Sequence, residues 1–513
     1  MPTPSEKLAA SLEVLRELQT TGRRVFRSAD FSRLHRERLI GNGFLQPVMK
    51  GWLISSRPDA SAGDTTPWHS SFWEFCARYA SHRFGDQWHL SPELSLLLHA
   101  EATALPRQVV IHAPEGTNNS TELLFGTSIY DLMVDTMPAR ADMVTRDGLR
   151  LFTPVAALVR VPDAFFLRHP VEAQAILAMV ADVSDLLAPL LEGGRSAVAG
   201  RLAGALRRLR RTDAADEIVQ TMKAAGYDVR ESDPFAAEQP MAEPRWKAPP
   251  MARRLEGLWA MTRDHVFGLF PAPPQKTRRK EDYLRDVDGI YQSDAYHSLS
   301  IEGYSVTLAL IERVKTGSWD PEHESADRRE RDGLAARGYW QSFQLVKNSV
   351  KIVLEGENSG IVARKDHRAW YRELFQPFVA AGIIAPSALA GYRNDSVYLK
   401  GSRHVPPRAE AVRDAMPAYF DLLEAEPEPA VRAVLGHWLF GYIHPYPDGN
   451  GRIARFLMNT MLASAGYAWT VIRVEDRDEY LAALESASVD SDIRPFARFL
   501  GERVRRSLDR VET

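Results

Sequence analysis

The stretch that decides the reading is His444-Pro445-Tyr446-Pro447-Asp448-Gly449-Asn450-Gly451-Arg452-Ile453-Ala454-Arg455. Before it stand Val431, Val434, Leu435, Trp438, Leu439 and Tyr442 at helical spacing; after it, Ile453, Phe456, Leu457, Thr460 and Met461. The spacing predicts a loop between two buried helices that ends at a helix N-terminus. Gly449, Asn450 and Gly451 open that second helix. Its unpaired N–H groups and dipole make an anion site, and glycine lets a phosphate approach the backbone. Arg452 and Arg455 are spaced i, i+3 on one face and suit a polyphosphate. Asp448 is a hard oxygen ligand apt for Mg²⁺ bridging phosphates. His444 titrates near neutrality and can take a proton from a hydroxyl nucleophile. Together these residues describe nucleotidyl or phosphoryl transfer. Residues 449–454 also match the dinucleotide pattern G-x-G-x-x-A, but that pattern needs a strand immediately before it, and His-Pro-Tyr-Pro-Asp intervenes.

The run resembles the Fic family motif, HPFxDGNGRxxR, with Tyr446 in place of the usual Phe. The resemblance covers roughly residues 253–513. It implies an all-helical domain with a β-hairpin flap, and transfer of AMP from ATP to a Ser, Thr or Tyr hydroxyl of a target protein. On that analogy His444 is the general base and Asp448 binds Mg²⁺. The amides of Gly449, Asn450 and Gly451 hold the α- and β-phosphates, Arg452 contacts the β-phosphate and Arg455 the γ-phosphate. Members that transfer a phosphate instead tend to have Lys where Gly451 stands.

Three further segments are similar to the family. Ser298-Leu299-Ser300-Ile301-Glu302-Gly303 resembles its inhibitory motif, [S/T]xxxE[G/N]. That resemblance implies that Glu302 pairs with Arg455 and blocks the γ-phosphate. Losing a hydrogen bond to a charged group costs roughly 1.5–3 kcal/mol. A variant of the reading has Glu302 position a water that removes AMP from a modified protein. The stretch Tyr392–Pro407, with Val397, Tyr398 and Leu399 alternating before a Lys400-Gly401 turn, resembles the flap that docks the target by strand addition. Tyr480–Ser488, continuing to Arg494-Pro495-Phe496, is similar to a segment near the adenosine; Ser488 stands where Asn is expected.

The N-terminal half reads differently. Leu8, Leu12, Leu15 and Leu18 mark a helix over 5–19. A Ser28/Asp30 helix-start signal precedes a basic helix over 32–40, which stops at Gly41-Asn42-Gly43. Phe44–Ile54 reads as two short strands around Lys50-Gly51. This is the order of a winged helix over 1–58. Arg33, Arg36 and Arg38 on its basic helix are the candidates for DNA contact. Residues 59–235 mix helices with strand-like pieces such as 108–112 and 149–152, a small α/β domain. The whole half resembles AbiEi-type antitoxins and regulators, which keeps open a DNA-binding toxin–antitoxin-like regulator with a Fic effector. Residues 236–252 form a Pro-rich linker.

The expected fold is therefore a mainly α C-terminal Fic domain with a small β-hairpin flap, behind an N-terminal winged helix and a small α/β domain. The chain has 513 residues, 45% hydrophobic and 26% charged, with a net charge of −3, which excludes a disordered or uniformly basic chain. One cysteine, Cys76, cannot form an intrachain disulfide and fits a reducing compartment. No run approaches the roughly 18 apolar residues of a membrane span, and the N-terminus lacks a signal-peptide pattern. The expectation is a cytoplasmic protein without membrane contact. Family members often dimerise, so the resemblance also raises a homodimer.

Overall fold

The computed structural model describes residues 3–59, 63–237, 240–241, 248–275, 278–319 and 331–512. Parts of the expected linker, 238–239 and 242–247, lie outside the described residues. The chain divides into two compact units. Unit 1 comprises 1–239, 243–250 and Tyr398–Val405; unit 2 comprises 240–242, Met251–Val397 and Pro406–Thr513.

Unit 1 opens with α1 (Pro4–Gln19), whose Thr3 and Glu6 form a capping box. Then come β1 (Val25–Arg27), a 3₁₀ turn over Ser28–Asp30, α2 (Arg33–Gly41), β2 (Leu45–Met49) and β3 (Trp52–Ser55). The strands form an antiparallel sheet in the order β1-β3-β2. The hairpin expected at Lys50-Gly51 is present. The Ser28/Asp30 signal starts only a single 3₁₀ turn, because Asp30 folds back onto the Arg27 N–H at 2.8 Å and Ser32 caps α2 instead.

Next are α3 (Thr66–Phe84), β4 (His89–Leu90), α4 (Pro92–His99), β5 (Gln108–Ala113), β6 (Asn119–Glu122), β7 (Ser128–Met133), β8 (Met143–Arg146) and β9 (Leu149–Phe152). β4-β5-β7-β6 form one sheet, with β5 and β7 parallel; β8 and β9 form a hairpin. Helices α5 (Pro154–Leu158), α6 (Ala164–Arg168), α7 (Pro170–Met179), α8 (Ser184–Glu192), α9 (Ser196–Arg208) and α10 (Thr212–Ala224) complete it. Val25, Trp52 and Ile54 share one core with Phe72, Phe75, Cys76, Val109 and Ile111. The first sheet and the α/β part thus pack as a single unit across residue 58.

Unit 2 is helical: α11 (Pro250–Arg263), α12 (Lys280–Ile301), α13 (Leu308–Lys315), α14 (Arg331–Leu354), α15 (Ser359–Ala380), α16 (Ala409–Ala425), α17 (Pro429–Ile443), α18 (Asn450–Ala463), α19 (Arg477–Val489) and α20 (Arg494–Glu512). α17 and α18 are buried on nearly every side, as helices apolar all round must be. α14 and α15 pack on α18, and α16, α19 and α20 pack on α17. The loop His444–Gly449 joins the two central helices, so the deciding stretch stands where the spacing puts it. Among the described residues no single helix is long and apolar enough to cross a membrane.

The expected β-hairpin over Tyr392–Pro407 is corrected. Lys400-Gly401 does turn, with the Ser402 N–H donating to Leu399 O at 3.2 Å, but no strand pair is assigned within 392–407. The backbone groups that such a hairpin would use are spent elsewhere in unit 1. Leu105 N–H donates to Arg403 O at 3.0 Å and Val405 N–H to Thr103 O at 2.8 Å, around an antiparallel bridge of Ala104 and His404.

Candidate active site

α17 ends at His444, whose φ of +51° is left-handed. That conformation is uncommon outside glycine and needs surrounding structure to hold it. Here Arg393 supplies the hold. Its Nε donates to His444 O at 2.8 Å and its backbone N–H to Pro445 O at 2.9 Å; Nη1 reaches Asp395 O at 2.9 Å, and Nη2 binds Pro407 O. The guanidinium is buried. Nothing in the 51-residue separation between Arg393 and His444 marks this partnership, and sequence reasoning missed it.

The His444 Nδ1 lies 3.3 Å from Gly441 O. Burial pulls the imidazole down to about 4, with Arg393 adding to the effect against the Gly441 carbonyl, Glu302 and Asp448. The ring is therefore neutral at pH 7. Nδ1–H donated to the carbonyl assigns Nε2 as the free acceptor.

Asn450 locks the loop from inside. Its Oδ1 accepts from Tyr446 N–H at 2.9 Å and its Nδ2 donates to Tyr446 O at 2.8 Å. The Tyr446 ring stacks on Tyr371, 3.9 Å between centroids and 5° from parallel. Its hydroxyl is buried without a hydrogen-bond partner among the described residues. The site uses the ring and not the hydroxyl, which is why Tyr can stand for Phe.

Gly449 caps α18 with a φ of +78°, and a Cβ there would lie 2.8 Å from Phe375. Conformation and space both require glycine. Asp448 Oδ1 accepts from Gly449 N–H at 2.6 Å, and the carboxylate faces solvent. Arg452 is fully buried. It lies over the rings of Phe375 (5.1 Å) and Tyr304 (5.4 Å), and its Nη2 is 3.5 Å from Asp448 Oδ1. None of its three guanidinium nitrogens has a hydrogen-bond partner among the described residues.

Arg455 is fully engaged on one side. Nε donates to Ser298 Oγ at 2.9 Å; Nη2 donates to Ser298 O at 3.0 Å and to Glu302 Oε1 at 2.7 Å. The end of α12 sets this up. Gly303 N–H bonds to Ser300 O and Tyr304 N–H to Leu299 O, with Gly303 at φ +85°, which is a Schellman ending. It fixes Glu302 at the helix end and brings Tyr304 to the Arg452 face. Burial opposes the Glu302 charge, yet Arg455 and Arg452 hold its carboxyl below the usual range. One turn before Ser298, Asp294 is buried and accepts from Tyr339 OH at 2.7 Å; burial raises its carboxyl to about 6.

His444, Asp448, Gly449, Asn450, Gly451, Arg452, Arg455, Ser298 and Glu302 thus converge on one end of α18. Ser488 lies behind them, its Oγ accepting from Trp438 Nε1 at 3.0 Å. Val397 belongs to unit 2, while Tyr398 and Leu399 belong to unit 1. On α2 the three arginines have internal partners: Arg33 pairs with Glu37, Arg36 reaches Ser28 O, and Arg38 donates to Lys7 O and Ser11 Oγ. Among the described residues no cluster of three metal-ligating side chains occurs.

Residues 362–462 match the family model described as the Fic/DOC family. That stretch of unit 2 is similar to the Fic/DOC family. The match spans the loop and both central helices but leaves Ser298 and Glu302 outside it. "Protein adenylyltransferase Fic" of Nematostella vectensis is 33% identical over 254 residues, 48% of this chain and 53% of that protein. The protein of the same name from Culex quinquefasciatus is 30% identical over 239 residues, 46% of this chain and 42% of that protein. The chain spans about half the length of the curated relatives it matches. Among solved structures, a Fic domain containing signaling protein from Bacteroides thetaiotaomicron aligns at 22% identity and a TM-score of 0.32, covering 50% of this chain and 95% of that one. Fic-1 from C. elegans aligns at 18% identity and a TM-score of 0.37, covering 67% and 98%.

Proposed function

We propose that the Fic domain transfers AMP from ATP to a Ser, Thr or Tyr hydroxyl of a protein, and that Glu302 keeps the site inhibited. One observation carries the reading. The buried Arg452 guanidinium stands without a hydrogen-bond partner among the described residues, at the open first turn of α18. A desolvated cation beside free N–H groups is costly alone and favourable once an anion arrives. The similarity to proteins named protein adenylyltransferase supplies the reaction class.

In the proposed step the hydroxyl oxygen attacks the α-phosphorus of ATP. The bond between the α-phosphorus and the bridging oxygen breaks, and pyrophosphate leaves. His444 Nε2 takes the hydroxyl proton; its neutral state at pH 7 supports that role. The amides of Asn450 and Gly451, with Arg452, hold the phosphates, and that of Gly449 joins them once Asp448 Oδ1 gives it up. Asp448 suits magnesium, because its carboxylate is solvent-facing and its Oδ2 has no partner among the described residues. Magnesium there would neutralise phosphate charge. Inhibition is supported by Glu302: its carboxylate lies 2.7 Å from Arg455 Nη2 and neutralises the cation that a γ-phosphate would meet.

The test is incubation of wild type, His444→Ala and Glu302→Gly with α-³²P-ATP and Mg²⁺. Label on protein is expected to rise in Glu302→Gly and vanish in His444→Ala. Label from γ-³²P-ATP alone would make the reaction phosphoryl transfer and overturn the reading. Release of AMP from a modified protein, lost in Glu302→Gly, would reverse its direction.

A further inference from the structure

Unit 2 holds a second concave site that the motif does not include, a cavity of about 690 Å³ between α15, α16 and the segment 390–394. That volume lies in the range of ligand clefts. Its lining carries Arg364, Lys365, Arg368 and Arg413 and no carboxylate residue. Arg364 is neutralised by Asp421 and Glu424. The other three differ. Lys365, Arg368 and Arg413 have no carboxylate partner among the described residues; Arg413 bonds only to Asn394 Oδ1 and Ala409 O.

We infer that this groove binds an acidic polypeptide segment, and, on the reading of the domain as a protein-modifying enzyme, that the segment belongs to the protein to be modified. Charge complementarity commits the occupant to an anion. The aromatic walls are already engaged within the protein. The Tyr392 ring already has Arg368 over it at 4.8 Å and His367 stacked at 6.1 Å; Phe420 has Arg364 at 5.8 Å and His367 at 4.6 Å. With these neighbours already on its rings, the groove's distinguishing feature is its positive charge. Lys365 and Arg368 are spaced i, i+3 on α15, while Arg413 stands on α16. Such a spread suits successive carboxylates along a chain.

The groove is joined to the reaction centre through its wall. His367 is buried and its Nε2 lies 2.9 Å from Tyr392 OH, which fixes that ring. Tyr446 lies 5.6 Å from the same ring. The next residue, Arg393, holds the His444 carbonyl. A chain seated in the groove therefore lies against Tyr392, which packs near Tyr446 of the catalytic loop and directly precedes Arg393.

The experiment titrates a fluorescein-labelled octaglutamate peptide into the full-length protein, without nucleotide, and follows anisotropy at about 50 and about 150 mM salt. Saturable binding is expected for wild type and for Arg452→Ala, weakened about tenfold or more in Lys365→Glu/Arg368→Glu. The gentler Lys365→Ala/Arg368→Ala pair is expected to weaken binding by a smaller factor, which covers the case in which charge reversal disturbs folding. Binding lost in Arg452→Ala but kept in the charge-reversed protein would place the peptide in the nucleotide site and overturn the inference. Equal binding by all variants, or none by wild type, would overturn it as well. Because the readout involves no AMP transfer, its failure is distinct from failure of the proposed activity.

Discussion

Glu302 Oε1 accepts a hydrogen bond from Arg455 Nη2 at 2.7 Å, although the two residues are 153 apart in sequence. Ser298, one helical turn earlier, binds the same guanidinium through both its hydroxyl and its carbonyl. Replacing Glu302 by Gly removes the opposing carboxylate from the guanidinium, while Ser298 still holds Nε and Nη2 in place. The expected outcome is tighter ATP binding, by about 10- to 150-fold on the scale of one charged hydrogen bond. Isothermal titration of wild type and Glu302→Gly checks it. Equal affinities would mean that Arg455 does not meet the nucleotide.

Gly451 is placed to test the same contact from the other side. A Cβ there would lie 2.3 Å from Glu302 Oε1 and 3.2 Å from Arg455 Nη1. The carboxylate sits at the end of a flexible side chain, so it is the part expected to give way. Gly451→Ala should raise self-labelling with α-³²P-ATP above wild type, by less than Glu302→Gly does. In the Glu302→Gly background the same substitution should bring no further increase. An increase in both backgrounds would show that the methyl acts on something other than Glu302.

Much of this site was legible because its residues are local. His444 to Arg455 form one loop and one helix start, and each type carries its chemical reason in the sequence. Glu302 and Gly303 were legible only through the resemblance of Ser298–Gly303 to the inhibitory motif, because the partner, Arg455, lies far along the chain. Arg393 was not legible, because its targets are backbone carbonyls, and any residue presents a carbonyl. The stretch 392–407 misled for a related reason. Its alternation and turn are real, but strand partners are chosen by whatever backbone lies alongside, here Thr103 to Leu105. The arginines between 195 and 211 find partners that spacing does not mark either: Arg201 pairs with Asp163, Arg207 with Asp216 and Glu231, and Arg211 reaches Val180 O.

Tyr446 gives a prediction about stability. Its ring is stacked on Tyr371, but its hydroxyl is buried without a partner among the described residues, and burial pushes its ionisation upward. Tyr446→Phe keeps the stack and removes an unsatisfied polar group. Urea denaturation is expected to show a variant at least as stable as wild type, by up to about 1–3 kcal/mol. A loss of stability would show that the hydroxyl is satisfied by ordered water.

The pH dependence turns on His444. Burial lowers its imidazole from 6.5 to about 4 in the folded protein. Between those values the unfolded chain takes up a proton that the folded chain does not. The stabilisation from this group is therefore complete above about pH 6.5 and lost as pH falls toward about 4. The same shift fixes the rate profile. Only the neutral ring can accept the hydroxyl proton, and kcat/KM reports the free enzyme. In the Glu302→Gly protein, with the opposing carboxylate gone, kcat/KM for AMP transfer is expected to be flat from about pH 6 to 8. It should fall only below about pH 5. A limb with its midpoint near 6.5 would place the imidazole in solvent, with its Gly441 contact open, and would remove the argument that this ring is held neutral for the transfer.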